Sequence, residues 1–171
     1  ERLERAGVRT AAIAPAFFAG TGLTTAALRG PSFLPVHDET DAARRVALAG
    51  QAVTAGSRTL GYFYERQLDH AGHEHGVGSG PWLAQLATVD ALVARLRDEL
   101  GDDVVIVVTG DHGMVNVPRA NRVVVEDEPE LLAEVTALAG EGRLRQLMTR
   151  HPDAVAARWR ELAEPSKVTV V

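Results

Sequence analysis

The chain has 171 residues, enough for one domain with a real core, and no cysteine, so a disulfide framework and a thiolate metal site are both excluded. A formal net charge of −5 leaves no basic stripe to follow a phosphate backbone, which argues against a nucleic-acid groove. No apolar run approaches the roughly 20 residues of a membrane helix and no signal peptide is visible, so no membrane segment is expected and a cytoplasmic location is favoured.

All basic residues but Lys167 are arginine, which with the alanine-rich usage suggests a GC-rich genome. The chain begins on Glu1 and stops on the apolar Val168 to Val171, and it reads as an internal piece of a longer protein. Glu1 to Ala6 is predicted as a helix tail with Gly7 as its left-handed cap, and Val8 to Ile13 as a short strand ending at Pro15. Ala16 to Gly30 mixes Phe17, Phe18 and Leu23 with glycines and reads as a loop with short helical turns. Thr21, Thr24 and Thr25 in it suit caps and turns better than a nucleophile. Ser32 to Val36 is a weak strand. His37-Asp38 begins a polar turn, with Thr40 as cap of a helix over Asp41 to Thr54. Thr59 to Tyr64 follows as a buried strand.

The next stretch, Glu65 to Gly76, carries Asp69, His70, His73 and His75 within seven residues on the segment leaving that strand. Asp69 and His73 are four apart, which puts both on one face of a helical turn; a compact loop hinged at Gly72 achieves the same. A carboxylate with an imidazole suits zinc or a similar divalent ion. His70 and His75 are candidates for partners that orient a ligand, for substrate contacts, or for plain surface histidines.

A helix opens at Ser79 or Gly80 with Pro81 in its first turn, and Trp82, Leu86, Val89, Val93, Leu96 and Leu100 form its apolar stripe. Asp90 lies on the flank of that stripe and reads as solvated. Val104 to Val108 then reads as a strand buried on both faces of a parallel sheet, with Asp111 and His112 just past its carboxyl end. Taken alone, Asp-His-Gly is turn material. In context, Thr59 to Thr109 makes a strand, loop, helix, strand unit, and both Asp/His couples emerge at one edge of the sheet.

Beyond Pro118 the expected elements are a strand at Asn121 to Val125, a helix at Pro129 to Ala139, a strand at Arg143 to Met148, a helix at Asp153 to Ala163 and a final strand at Val168. Val155, Trp159 and Leu162 are the inward residues of that last helix. His151, before Pro152, suits a helix start. Arg119, Arg122, Arg143 and Arg145 are surface arginines able to meet an anion.

With a strand ending in tyrosine, Asp69-His-Ala-Gly-His73, a Trp-containing helix and Thr109-Gly-Asp-His-Gly-Met114, the chain resembles the type I phosphodiesterase/nucleotide pyrophosphatase branch of the alkaline phosphatase superfamily. The two motifs stand in this order about forty residues apart. Gly140 to Arg143 and Arg158-Trp159 also look like a small insert of actinobacterial members, implying a bacterial source. The resemblance implies an α/β fold with an alkaline-phosphatase-like, mostly parallel sheet flanked by helices. It would be incomplete, with residues 1–118 a partial catalytic core and 119–171 a truncated βαβ-type insert or cap.

It further implies two divalent metal ions, zinc by family, with Asp69 and His73 on one and Asp111 and His112 on the other. The substrate would be a small phosphate ester or nucleotide, hydrolysed through a covalent Thr or Ser phospho-enzyme. The family's nucleophile and one Asp ligand come from upstream of residue 1 and a further His from downstream, so the chain alone is expected to be inactive. Rival readings are a sulfatase or phosphomonoesterase of the same superfamily, a non-catalytic metal-binding domain, and a domain whose histidines only decorate the surface.

Overall fold

A computed structural model describes residues 1–142 and 144–162. Its contacts fall into two compact units, Glu1–Val115 and Asn116–Val171. In the first, strands β1 (Arg9–Pro15), β2 (Ser32–Val36) and β3 (Thr59–Phe63) form a parallel sheet in the order β2-β1-β3. The central strand is the alanine-rich β1, buried at every residue after Arg9. Small side chains leave room for layers on both sides of a strand that is hydrogen-bonded along both edges.

Helix α1 (Arg2–Arg5) ends in Gly7 at φ +76°, a backbone conformation that glycine adopts without strain. A 3-10 turn at Ala16–Phe18 and helix α2 (Gly22–Ala27) occupy the expected loop. Thr21 caps α2, its hydroxyl accepting from Thr24 N and donating to Phe18 O at 3.1 Å, so it is engaged as a cap. Helix α3 (Ala42–Val53) is capped by Asp41, which accepts from Arg44 N at 2.9 Å. The expected cap, Thr40, is instead drawn into a turn with Asp38, which accepts from both its N–H and its hydroxyl. Those two hydrogen bonds hold the Asp38 carboxyl below its ordinary range.

Helix α4 (Gln67–His75) resolves the Asp69 segment as a helix, and α5 (Gly80–Leu100) is capped by Ser79. Leu92 and Leu96 of α5 meet Val46 and Ala49 of α3, while Leu48 and Ala52 turn to Ala11, Ile13 and Val36 of the sheet. Leu86, placed on the apolar stripe of α5 by its spacing, is exposed, and Leu92 is buried in the stripe instead. Asp90 is exposed, as its place on the flank suggested.

Two sequence expectations fail here. Thr59 to Tyr64 is an edge strand in which Leu60 and Tyr62 are exposed. Val104 to Val108 joins no sheet among the described residues, and Val105, Val107 and Val108 are 86%, 82% and 70% exposed. Ile106 packs down on the cluster between α3 and α5. A run of β-branched residues records a preference for a half-buried pleated surface, but a ladder still requires a neighbouring strand.

The second unit differs more. No strand forms at Asn121 to Val125; 3-10 turns at Arg119–Asn121 and Val125–Asp127 stand there instead, because the valines meet a polar, prolyl stretch that turns the chain. The expected helix over Pro129 to Ala139 stops as α6 (Pro129–Leu132), and Glu134 at φ +63° breaks the helical path. An antiparallel hairpin of β4 (Val135–Glu141) and β5 (Leu144–Thr149) comes next, then α7 (Pro152–Leu162). The described part of the second unit is thus a hairpin with helices, not a βαβ alternation.

Val135 and Leu138, three apart, read as a helical stripe. A register shift between Val135 and Ala137 puts both on the face that packs on Leu131, Val155 and Trp159. Gly140, at φ +94°, lets the hairpin close where any Cβ would overlap Leu144 O. Arg143, the side chain of Leu162 and the Val168 strand lie outside the described residues.

Candidate active site

The two Asp/His couples both belong to the first unit, near the carboxyl end of β3. Tyr64 N donates to Ile13 O at 2.9 Å, carrying the ladder one residue past β3. Glu65 Oε1 accepts from Gln67 N at 2.6 Å and so satisfies a first-turn N–H of α4. Asp69 lies in that first turn and His73 and His75 in the last, the polarity that complements the helix dipole.

Asp69 Oδ1 and His73 Nε2 are 3.5 Å apart on an exposed face. Asp111 Oδ1 and His112 Nε2 are 3.7 Å apart, also exposed. His112 N donates to Asp111 Oδ1 at 3.0 Å, which fixes the carboxylate against its own backbone. His112 Nδ1 is 3.2 Å from Gly113 O; a carbonyl only accepts, so a hydrogen bond there places a proton on Nδ1.

The segments bearing the couples meet through Met114 and Tyr64. A Cβ built on Gly72, the buried residue of α4, would overlap Met114 Sδ and stand 3.1 Å from its Cε and 3.4 Å from Trp82 Cδ1. Glycine at 72 is therefore what lets the Asp111 loop lie against α4. Tyr64 senses both couples. Burial, then the Asp111 charge, then Tyr62 and Asp69, raise its phenol above the ordinary range, with Arg66 opposing.

Tyr64 also packs edge-on against Phe18 at 5.9 Å and stacks with Tyr62 at 6.3 Å, and the Arg66 guanidinium lies 5.1 Å over Phe17. His70 and His75 do not join the couples: His70 Nε2 is 3.8 Å and His75 Nε2 3.7 Å from Glu74 Oε2. The sequence left them as partners that orient a ligand, substrate contacts or surface histidines; helical spacing brings His70 to the i+4 glutamate.

Each couple offers one oxygen and one nitrogen, the mixture that zinc takes, and two donors of a tetrahedral zinc are separated by about 3.4 Å. The observed 3.5 and 3.7 Å spacings are close to that. In donor type and bite the residues fit the ion. In number they supply two each, and among the described residues no group of three or more His, Asp or Glu is arranged to hold a metal. Met114 and the charged set Glu39, Arg45, Glu65 and Arg66 also shape this region, although the sequence did not single them out. Only Arg45 carried a signal, a charge set among the apolar positions of α3.

A three-stranded parallel sheet flanked by helices makes this an α/β protein of alkaline-phosphatase-like fold. Within it the chain belongs to the type I phosphodiesterase/nucleotide pyrophosphatase family, whose model matches residues 1–168. The chain is also similar to the catalytic subunit of GPI ethanolamine phosphate transferase 3 from Homo sapiens and from Mus musculus. Each is 38% identical over 47 residues, which is 28% of this chain and 4% of the relative. The chain thus spans a small part of the length of these curated relatives. No helix among the described residues is long and apolar enough to cross a membrane.

Proposed function

We propose that the chain supplies ligands and framework to the centre of a two-metal phosphodiesterase, with Asp69 and His73 holding one zinc-type ion and Asp111 and His112 the other. The observation that carries this reading is the pair of Oδ1–Nε2 bites, 3.5 and 3.7 Å, on segments joined by the seating of Met114 on Gly72. Bound there, two such cations would supply Lewis-acid stabilisation of charge in a displacement at phosphorus. Asp69 and Asp111 offset cationic charge, and the Gly113 carbonyl holds His112 in the ligating tautomer. Exposed Tyr62 and Phe17 offer flat apolar surface to the organic group of a small phosphate ester or nucleotide. A hydroxyl nucleophile completes the reaction as a covalent phospho-enzyme step.

A second reading, transfer of the phosphate-ester group to an alcohol rather than water, is favoured by the similarity to the ethanolamine phosphate transferases. Both are tested on the protein that carries this chain, with bis-p-nitrophenyl phosphate against the monoester and with ethanolamine as competing acceptor. Preference for the diester supports the family reaction, and capture by ethanolamine the second reading. His73→Ala and Asp111→Ala should each lose more than about 100-fold in turnover, beyond what an outer partner of a ligand is worth. Wild-type turnover by either variant would remove the metal assignment.

A further inference from the structure

Between α3 and α4 lies a closed circuit of four charged residues that the metal-binding reading leaves without a task. Arg45, on α3, has a side chain only 5% exposed. Its NH2 pairs with Glu65 Oε2, its NH1 donates to Glu39 O at 3.1 Å, and its guanidinium lies 5.0 Å over the Phe63 ring. Glu65, 15% exposed, turns its other oxygen to Gln67 N. Arg66 closes the ring, donating from Nε and NH2 to Glu39 Oε1 at 3.1 and 2.9 Å.

As a stabilising device this is a poor choice. Arg45 Nε is buried with no hydrogen-bond partner, and a buried ion pair often gives no more stability than apolar side chains of the same size. As a positioning device it is well made. Arg45 is anchored between the core residues of α3, and each link from it to Gln67 is directional, so the first turn of α4 is fixed in place and orientation. Asp69 stands in that turn and His73 one turn on.

We propose that Arg45 and Glu65, with Glu39 and Arg66 as the outer brace, are positioning residues that set α4 so that Asp69 and His73 present their donors to one cation. This rests on the metal-binding reading above for the identity of what is bound.

The test uses the protein that carries this chain and a double variant, Arg45→Met with Glu65→Leu, which removes both buried charges together. Thermal melting should be close to wild type, while zinc affinity by calorimetry falls about tenfold or more. Exchange of the Gln67 amide should quicken at least tenfold while the β1 amides keep their protection. Glu65→Gln, which keeps an acceptor for Gln67 N, should restore most of both. A folded double variant with wild-type zinc affinity and wild-type Gln67 exchange overturns the proposal. A wild-type protein that takes up no zinc overturns the metal-binding reading, and the exchange measurement then decides the tether by itself. If the double variant does not fold, Glu39→Leu replaces it: with no side-chain acceptor left for Arg66 it cuts the outer brace, and unchanged zinc affinity and Gln67 exchange there also refute the circuit's role.

Discussion

Substituting alanine at Gly72 separates two opposing effects whose sizes the structure supplies. Gly72 is inside α4, where alanine in place of glycine favours the helix by about 1 kcal/mol. The added methyl, however, would overlap Met114 Sδ and approach Met114 Cε to 3.1 Å and Trp82 Cδ1 to 3.4 Å. Overpacking of this kind costs about 1–3 kcal/mol, and the flexible methionine end puts it in the lower part, about 1–2 kcal/mol. Gly72→Ala should therefore be close to neutral or destabilise by up to about 1 kcal/mol. In a Met114→Ala background the obstacle is gone, and the same change should stabilise by about 1 kcal/mol, the propensity effect alone.

The difference between the two backgrounds, about 1–2 kcal/mol, is the coupling of α4 to the Asp111 loop. Urea unfolding followed by Trp82 fluorescence measures it, with Trp159→Phe throughout so that Trp82 is the only reporter. Equal stabilisation in both backgrounds would refute the seating of Met114 on Gly72. The two Asp/His couples would then lose their structural link.

Tyr64 provides a second check of that link. With Tyr62→Phe as background, alkaline absorbance titration should place the Tyr64 phenol above about 10; Asp111→Asn should lower it more than Asp69→Asn, and no response to either would separate the couples. Because the folded value is raised, this contribution to stability is full below the unfolded value and is lost as pH rises through the folded one. In the second unit, Trp159 Nε1 donates to Leu131 O at 2.7 Å while buried, so Trp159→Phe should keep the packing yet destabilise that unit by about 1–3 kcal/mol, read by near-UV circular dichroism on heating.

Local signals in the sequence correspond to what formed. Ser79 before Pro81, Gly7 after α1 and the i,i+4 spacing of Asp69 and His73 each act within one helical turn, and each is found in place. Signals that depend on a distant partner misled. Val104 to Val108 is an unbroken β-branched run, yet three of its five side chains are exposed, whereas β1, with four of its seven residues alanine or proline, is the buried centre. Propensity describes the segment; which strands flank it decides burial. The three-residue spacing of Val135 and Leu138 suggested a helix because a bulge gives two strand residues that same spacing on one face. Glu65 could not be read as a link between Arg45 and α4, since its partners lie twenty residues back and two ahead.

The exposure of the valine run bears on how Asp111 and His112 are held. Without ladder hydrogen bonds among the described residues, the segment leading to them is fixed by side chains: Ile106 in the cluster between α3 and α5, and Met114 on α4. Those two anchors straddle the couple, five residues before Asp111 and two after His112. The Asp69 couple is held differently, by directional hydrogen bonds from Arg45 through Glu65 to a helix N-terminus. Apolar seating limits distance but tolerates small rotations, whereas a guanidinium–carboxylate link fixes direction. The arrangement thus makes α4 the reference element of the site and the Asp111 loop the part that adjusts to it, with Gly72 as the surface where the two meet.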